Sequence, residues 1–427
     1  RRYVGGTCIN DGCTPTKTLI ASGRVAYLAR RAADFGLEVG NVEVDWPAVR
    51  ARKDRLVKEW RDGIASRIDG LEGADLIYGE ARFVAPHRME IAIEGGGTRE
   101  LQAEHIFLNT GAHPSIPPIP GLKETPYDDS ESIMNVAALP AHLLIIGGSY
   151  IGLEFAQLFR RLGSDVTVIQ QAAQLVERED EDVAEVLTDI LTEDGIEVLL
   201  NAQTTSVSHD GEGFTLRVEL PDGEKRLTGS HLLVATGRAP NTKALNLEAA
   251  GVETTENGFI KTDPRRRTSV DGIYALGDVT GAPAFTHIAY DDYRVVVDQV
   301  LEGGTRTTEG RPVPYVLYTD PELGRIGLSE RQARKEGHKF RVAKMPFARV
   351  ARAAETGETR GLMKVIVDDE SDQILGAAIL GVMGGELMSL IQVAMAGKLP
   401  WQQLRDMVLA HPTFAESFNN LFATLDG

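Results

Sequence analysis

Cysteine is almost absent from this sequence, and its scarcity narrows the chemistry. Only two of the 427 residues are cysteines, Cys8 and Cys13. A secreted protein built on a disulfide framework carries more cysteines, spread along the chain. Two neighbouring thiols in a long chain instead indicate redox chemistry or half of a metal site. The sequence shows no signal peptide, so we expect a cytoplasmic protein. The sequence begins at Arg1 without a methionine, and we expect that its true start is missing.

Long apolar runs and an excess of positive charge are also missing. No apolar stretch approaches the ~20 residues that a membrane helix needs, so no membrane partner is expected. The net charge is −17, from 62 acidic and 45 basic side chains. A nucleic-acid partner would require a basic face, so we expect none. The length allows two or three domains, and 42% hydrophobic with 25% charged residues is an ordinary globular composition.

The first motif contains both cysteines and reads Gly-Gly-Thr-Cys-Ile-Asn-Asp-Gly-Cys-Thr-Pro-Thr-Lys from Gly5 to Lys17. Cys8 and Cys13 can close a small disulfide if the backbone bends into a distorted helical turn. A thiol at a helix N-terminus beside Lys17 would have a lowered pKa, which favours the thiolate. The alternative is a pair of buried structural cysteines, which the spacing alone leaves open. The flanking Gly-Gly-Thr and Pro-x-Lys disfavour that alternative.

The second motif is a glycine-rich turn between a strand and a helix. A βαβ unit is predicted from a strand, a helix and a second strand at residues 142–146, 151–162 and 165–169. The turn reads Gly147-Gly-Ser-Tyr-Ile-Gly152, with serine in place of the middle glycine of a dinucleotide fingerprint. Gly147 makes the tight turn, and Gly152 lets the helix pack closely on the strand. This context predicts a dinucleotide site.

Two further motifs are weaker alone. Asp278 follows Gly277 at the end of a strand, where a carboxylate can accept hydrogen bonds from sugar-like hydroxyls, although a helix N-cap is the simpler alternative. His411 and Glu416 can form an acid–base unit in which the carboxylate orients the imidazole. They meet only if Pro412 starts a turn, and a capping interaction is the alternative.

Other patterns predict the organisation of the chain. The segments at 106–111 and 232–237 are both apolar strands that end in Thr-Gly, which suggests two related nucleotide-binding domains. Helices are predicted from about residue 15 to 33, from 48 to 68 and from 402 to 409. A short strand is predicted at Asp75–Tyr78.

Together the four motifs resemble the pyridine nucleotide–disulfide oxidoreductases, which include lipoamide dehydrogenase, glutathione reductase and mercuric reductase. The motifs occur in the family's order, and the resemblance covers essentially the whole chain. It implies an α/β fold with two Rossmann-like domains, for FAD and NAD(P), plus an α+β C-terminal dimerisation domain. The implied boundaries are 1–139 and 263–311 for the FAD domain, 140–262 for the NAD(P) domain and 312–427 for the dimerisation domain.

The resemblance also implies an electron path and catalytic roles. Electrons would pass from NAD(P)H through FAD to a Cys8–Cys13 disulfide, and then to a small-molecule disulfide or thiophilic metal ion. Cys13 would face the flavin, Cys8 would attack the acceptor, and no resident metal is expected. The chain would form a homodimer with shared active sites, in which a monomer is inactive. The implied catalytic residues are Cys8, Cys13, Lys17, Glu154, His411 and Glu416, with Lys17 paired to Glu154 and the last two acting in the partner's site.

Cofactor contacts are implied in the same way. Those to FAD are Gly6, Thr7, Lys17, Gly79, Ala81, Thr110, Gly111, Gly277, Asp278, Thr286 and His287. Those to NAD(P) are Gly147, Tyr150, Ile151, Gly152, Glu154, Gln170 and Gly237. Thr7 would contact phosphates and Asp278 the ribitol, while Gly79 to Ala81 would form an adenine-contacting turn. Thr286-His287 would start a helix at the flavin pyrimidine edge, and Tyr150 would cover the flavin until nicotinamide displaces it.

Three features depart from the family pattern. The family's first βαβ unit, about 30 residues or more with its own glycine fingerprint, is missing, so we expect a fragment. The second strand of the NAD(P) unit ends in Gln170-Gln171, with neither the acid typical of NAD enzymes nor an arginine nearby. The choice of coenzyme stays open, although the missing acid removes a repulsion to the 2′-phosphate and favours NADPH slightly. No cysteine follows His411, unlike in standard mercuric reductases.

The remaining alternatives concern the acceptor. The segments around Gly277 and after Ala415 look closest to the mercuric-reductase-like branch, which includes reductases that act on copper(II) without a C-terminal cysteine pair. A dihydrolipoamide dehydrogenase running in the opposite direction is one alternative, although Gln170 counts against its usual NAD preference. A non-catalytic NAD(P)-binding redox sensor is the other, and retention of the catalytic residues disfavours it.

Overall fold

The structure is a computed structural model that describes Tyr3–Asp426. Its α-helices, α1 to α12, are Gly6–Asn10, Cys13–Arg30, Trp46–Asp69, Tyr150–Leu162, Glu181–Glu193, Leu247–Ala250, Thr286–Val300, Glu330–Lys335, Ala351–Glu355, Gly384–Ala396, Trp401–Asp406 and Ser417–Ala423. Its strands, β1 to β19, are Gly79–Ala85, Arg88–Ile93, Thr98–Gln102, Ile106–Leu108, Ala112–Pro114, His142–Ile146, Asp165–Ile169, Glu197–Leu199, Gln203–His209, Phe214–Leu220, Gly223–Gly229, His231–Val234, Arg238–Pro240, Ile273–Ala275, Tyr315–Leu317, Glu322–Gly327, Phe340–Pro346, Leu362–Asp368 and Ile374–Gly381.

The chain forms two compact units. The first comprises the residues up to Thr18, Arg50–Ile116 and Thr236–Arg311, and the second comprises Leu19–Val49, Pro117–Ala235 and the residues from Pro312. The first unit holds the antiparallel sheet β1-β2-β3, the parallel pair β14-β4 and the antiparallel pair β13-β5. The second holds the parallel sheet β12-β6-β7-β8, the meander β11-β10-β9 and the five-stranded sheet β15-β16-β19-β18-β17.

The predicted βαβ unit is present as β6, α4 and β7. Strand β6 pairs in parallel with β12 on one side and β7 on the other, which explains its continuous apolar run. Helix α4 begins at Tyr150, and the preceding residue, Ser149, adopts an extended conformation. A Cβ added to Gly152 would lie 2.1 Å from the carbonyl oxygen of Gly147, so only glycine allows this close approach of helix and turn.

The last third of the chain forms an antiparallel sheet with helices, as the α+β prediction requires. Strands β16, β19, β18 and β17 pair antiparallel in that order, and α10 packs on β16 and β19. Leu390 and Val393 remain exposed on α10. Within the part of the chain that the structure describes, no helix is both long and apolar enough to cross a membrane.

Buried ion pairs stabilise the second unit. The carboxylate of Asp320 pairs with Arg24 and with Arg161, whose side chain is only 6% exposed. Burial alone would raise the pKa of Asp320, but the two guanidinium groups outweigh it and lower that pKa below its ordinary value.

Two predicted elements are wrong in detail. Asp75–Tyr78 is not a strand, because the ladder begins only at Gly79, which pairs with Ile93. The predicted helix at 402–409 ends at Asp406, since Met407 adopts an extended conformation.

Candidate active site

Both cysteines lie where two helical segments meet in the first unit. Cys8 lies within the single turn of α1, and Cys13 is the first residue of α2, so the backbone bends as the disulfide prediction required. Both are present as thiols, Cys8 half-buried and Cys13 exposed. The Sγ atom of Cys13 lies 3.4 Å from the Oγ1 atom of Thr286, which opens α7. The hydroxyl of the first residue of α7 therefore contacts this sulfur.

The pKa of the Cys8 thiol is raised, whereas the lowered pKa expected for a thiol at a helix N-terminus beside Lys17 stays a prediction. The hydrogen bond between Cys8 and Cys13 raises the pKa of Cys8 most, and burial raises it further. The hydroxyl of Thr286 and the charge of Lys17 lower that pKa, but by less. The Cys8 thiol therefore holds its proton more tightly than an isolated thiol does.

The N-terminus of α7 is anchored by a buried carboxylate that the sequence analysis missed. Asp292 is fully buried on α7, and its Oδ2 accepts a hydrogen bond from the backbone N–H of Gly277 at 2.9 Å. Its Oδ1 lies 2.9 Å from Arg266 and 2.6 Å from Arg311. These contacts tie the Gly277-Asp278 turn to the helix that carries Thr286. Asp292 follows another aspartate, Asp291, and nothing in this local sequence indicates burial.

Asp278 lies in the short 3-10 turn Gly277–Thr280, not at the N-cap of a helix. Burial raises the pKa of Asp278, and Arg238 at 3.9 Å opposes that effect. A half-buried carboxylate of this kind gains from hydroxyl donors. In the same unit, a Cβ added to Gly6 would meet open space, so a ligand can approach the backbone there. The N-terminus of α7, Asp278 and Gly6 fit a flavin nucleotide.

The other residues predicted to contact FAD also lie in the first unit. Gly79 and Ala81 are part of strand β1, so the predicted turn is wrong there, because both residues pair with β2. Thr110 donates its hydroxyl proton to the carbonyl of Asn241 at 3.0 Å, and the carbonyl of Gly111 accepts from the Asn241 N–H at 2.9 Å. Three more positions follow: Thr7 lies in α1, Lys17 in α2, and His287 stacks on Phe285 at the start of α7.

The predicted NAD(P) residues Gly147, Tyr150, Ile151, Gly152, Glu154 and Gln170 lie in the second unit, whereas Gly237 belongs to the first. Glu154 is buried on α4 and accepts the backbone N–H of Tyr318 at 2.9 Å. Because Lys17 and Glu154 belong to different units, their pairing stays a prediction.

Tyr150 makes contacts that the sequence analysis missed. Its hydroxyl donates to Oε1 of Glu179 at 3.1 Å, and Tyr315 donates to the same oxygen at 2.6 Å. The guanidinium of Arg325 lies 2.7 Å from the other oxygen, and Glu179 is only 1% exposed. Burial and the Glu179 charge raise the pKa of Tyr150, and they raise the pKa of Tyr315 to about 12. Both tyrosines therefore stay neutral and act as donors at neutral pH.

The structure brings His411 and Glu416 together. The Nδ1 atom of His411 lies 3.0 Å from both carboxylate oxygens of Glu416. His411 is 72% exposed, whereas Glu416 is 18% exposed. The carboxylate therefore fixes the ring and leaves Nε2 directed away from it, as a proton-transferring imidazole requires. Their role in a partner's site stays a prediction.

Comparison with known proteins decides the family. A family model described as pyridine nucleotide-disulphide oxidoreductase matches residues 2–292, and the model of its dimerisation domain matches residues 313–422. The chain belongs to the pyridine nucleotide-disulphide oxidoreductase family. The family confirms the predicted fold class, the oxidoreductase activity and the cofactors FAD and NAD(P)H.

Three relatives illustrate the range of the family. The probable pyridine nucleotide-disulfide oxidoreductase RclA of Escherichia coli is 39% identical over 98% of this chain and 90% of its own. The mercuric reductase of Streptomyces lividans is 35% identical over 98% and 88%. The dihydrolipoyl dehydrogenase of Chlamydia muridarum is 34% identical over 97% and 88%. The solved copper(II) complex of the HOCl-induced flavoprotein disulfide reductase RclA superimposes with a TM-score of 0.90, at 37% identity, over 99% of this chain and 91% of that one.

Proposed function

We propose that this chain reduces a thiophilic metal ion or a small-molecule disulfide, with electrons that leave through Cys8 and Cys13. The observation that carries the proposal is the hydrogen-bonded thiol pair, Cys8 and Cys13, beside the hydroxyl of Thr286. Such a pair loses two electrons and two protons when it closes to a disulfide. FAD, when bound, supplies the link between NAD(P)H and the cysteines, and the residues around Gly6, Asp278 and Thr286 would hold it.

The two cysteines divide the work. On a disulfide acceptor, the Cys8 thiolate attacks one sulfur, forms a mixed disulfide and releases the first thiolate. Cys13 then attacks the sulfur of Cys8, which closes the Cys8–Cys13 disulfide and releases the second thiolate. On copper(II), two ions each take one electron as the pair closes and releases two protons. Because the pKa of Cys8 is raised, its attack requires a base.

His411 is the base that we propose, acting in a homodimer with shared active sites. Glu416 holds the ring, and the exposed Nε2 of His411 from a second copy would take the proton of Cys8 and return it to the leaving thiolate. The dimerisation-domain match to residues 313–422 supports a dimer. Exposed apolar side chains on α10, Leu390 and Val393, supply a surface that a second copy can cover.

Relatives support the metal-ion acceptor. One is solved as a copper(II) complex and another is named for mercuric reduction. The metal ion would bind Cys8 and Cys13, because soft thiolate ligands suit thiophilic metal ions. The FAD-binding domain of the proposal comprises residues 1–139 and 263–311, the NAD(P)-binding domain residues 140–262, and the dimerisation domain residues 312–427. The roles assigned to the site residues and a cytoplasmic location belong to the same proposal.

A steady-state comparison tests the proposal. The FAD-reconstituted protein should oxidise NAD(P)H with copper(II) or mercury(II) at a higher kcat/KM than with lipoamide or glutathione disulfide. His411→Ala should slow acceptor reduction by roughly a hundredfold, the usual range for a lost general base, and leave flavin reduction unchanged. His105→Ala, an exposed histidine outside the proposal, is the control. Equal loss in both half-reactions of His411→Ala would contradict the proposed role.

Dihydrolipoyl dehydrogenase activity is the second candidate, favoured by the relative from Chlamydia muridarum. It predicts a higher kcat/KM for dihydrolipoamide with NAD⁺ than for any metal ion with NAD(P)H. A redox sensor would turn over none of these acceptors.

A further inference from the structure

The end of strand β7 carries an amide where an acid was expected, but a carboxylate contacts that amide. The Oε1 atom of Gln170 accepts the backbone N–H of Gly148, in the glycine-rich turn, at 2.9 Å. Its Nε2 donates to Oε1 of Glu177 at 2.9 Å and to the carbonyl of Gln174 at 3.4 Å. Gln170 is buried, whereas Glu177 is exposed. The side chain of Gln170 therefore bridges the glycine-rich turn and the carboxylate of Glu177.

A strained residue directs Glu177 to this place. Val176 has a φ of 42°, a left-handed conformation that is costly for a β-branched residue. It is 1% exposed, and its N–H donates to the carbonyl of Gly148 at 2.9 Å. Such strain persists only where neighbours over-determine it, and it concentrates at functional sites. The segment 174–177 is thus fastened to the glycine-rich turn by its backbone as well as by Gln170.

We propose that Glu177 replaces the missing acid and makes this enzyme select NADH over NADPH. In dinucleotide-binding βαβ units, a carboxylate at the end of the second strand accepts hydrogen bonds from the ribose hydroxyls of NAD. The carboxylate of Glu177 is hydrogen-bonded to the residue that follows this strand, so it can accept the same hydrogen bonds from the ribose hydroxyls. Its negative charge repels the 2′-phosphate of NADP(H). Gln170 acts as a positioning residue that holds Glu177. This inference rests on the use of NAD(P)H in the proposed function, and it reverses the preference that Gln170 alone suggested.

Two arginines near Glu177 provide the alternative, a preference for NADPH. Arg331 donates from Nη2 to the backbone carbonyl of Glu177 at 2.7 Å, and its own N–H donates to Asp180. Arg178 is exposed and next to Glu177 in the chain. If either guanidinium bound a 2′-phosphate, NADPH would be the better ligand.

Binding measurements on the full chain decide between the two. Isothermal titration calorimetry with NAD⁺ and NADP⁺ gives the ratio of dissociation constants for the wild type, Glu177→Gln, Gln170→Leu and Arg178→Gln. Glu212→Gln, an exposed carboxylate at the β9–β10 hairpin, has the same change in net charge and serves as the control. Circular dichroism spectra confirm that each variant is folded.

We expect the wild type to bind NAD⁺ more tightly than NADP⁺. Loss of a hydrogen bond to a charged group changes affinity by roughly tenfold to a hundredfold, so Glu177→Gln and Gln170→Leu should both lower the NAD⁺ preference by at least about tenfold. Glu212→Gln should retain it. The inference would be overturned if the wild type bound NADP⁺ more tightly than NAD⁺, or if Arg178→Gln lost NADP⁺ binding. It would also be overturned if Glu177→Gln had the same ratio of dissociation constants as the wild type. Because neither flavin nor acceptor takes part, failure of acceptor reduction would refute only the proposed function.

Discussion

The hydroxyl of Thr286 should set the acidity of the cysteine pair. It lies 3.4 Å from the Sγ atom of Cys13, and it also lowers the pKa of Cys8. A hydrogen bond to a charged group contributes about 1.5–3 kcal/mol, and the exposed Cys13 belongs at the lower end of that range. Since 1.36 kcal/mol corresponds to one pKa unit, Thr286→Val should raise the first pKa of the pair by about one unit.

The ultraviolet absorbance of the thiolate, followed against pH, measures this pKa directly. Because the chain has only two cysteines, no other thiol contributes to the signal. Thr286→Ser retains a hydroxyl and should leave the first pKa unchanged. At a pH below that pKa, alkylation by iodoacetamide should slow by about tenfold in Thr286→Val, because one pKa unit is tenfold in thiolate. An unchanged titration in Thr286→Val would refute the assignment of this contact to thiolate stabilisation.

Two further predictions concern stability and coenzyme binding. Asp320→Asn removes one of the two carboxylates that pair with buried Arg161, the other being Asp194 at 3.5 Å, so chemical denaturation at pH 7 should show a loss of stability of about 1.5–3 kcal/mol. Because the folded pKa of Asp320 is lowered, wild-type stability falls as pH drops below about 4, and the gap should narrow there; a constant gap would contradict the ion-pair explanation. Gly152→Ala places a Cβ 2.1 Å from the Gly147 oxygen and should weaken NAD(P)⁺ binding by at least about tenfold. Gly63→Ala on α3 meets nothing within 4 Å and should leave binding intact, whereas equal effects of the two would argue against a distorted turn.

Local patterns predicted the parts of the site that depend on local geometry. The βαβ unit follows from an apolar strand, a glycine-rich turn and an apolar helix, and its predicted strands coincide with β6 and β7. The proximity of His411 and Glu416 follows from a turn within six residues of chain, and the structure shows their contact.

Contacts between distant segments could not be predicted in this way. The sequence around Glu179 does not predict its contacts with Tyr315 and Arg325. These two residues come close to Glu179 only when strands β15 and β16 have folded. Gln170 illustrates the same limit. Its identity alone suggested that no acid faces the ribose site, whereas the turn through Val176 brings Glu177 to its amide. A residue type at one position predicts specificity only when its neighbours in space are known.

The central claim is that electrons from NAD(P)H reach Cys8 and Cys13. With only two cysteines in the chain, a thiol count in the FAD-reconstituted protein tests it without ambiguity. The air-oxidised, denatured protein should release no colour from Ellman's reagent. When one equivalent of NAD(P)H is added anaerobically to the folded protein before it is denatured, two thiols should appear for each chain. Consumption of the NAD(P)H with no new thiols would contradict the account.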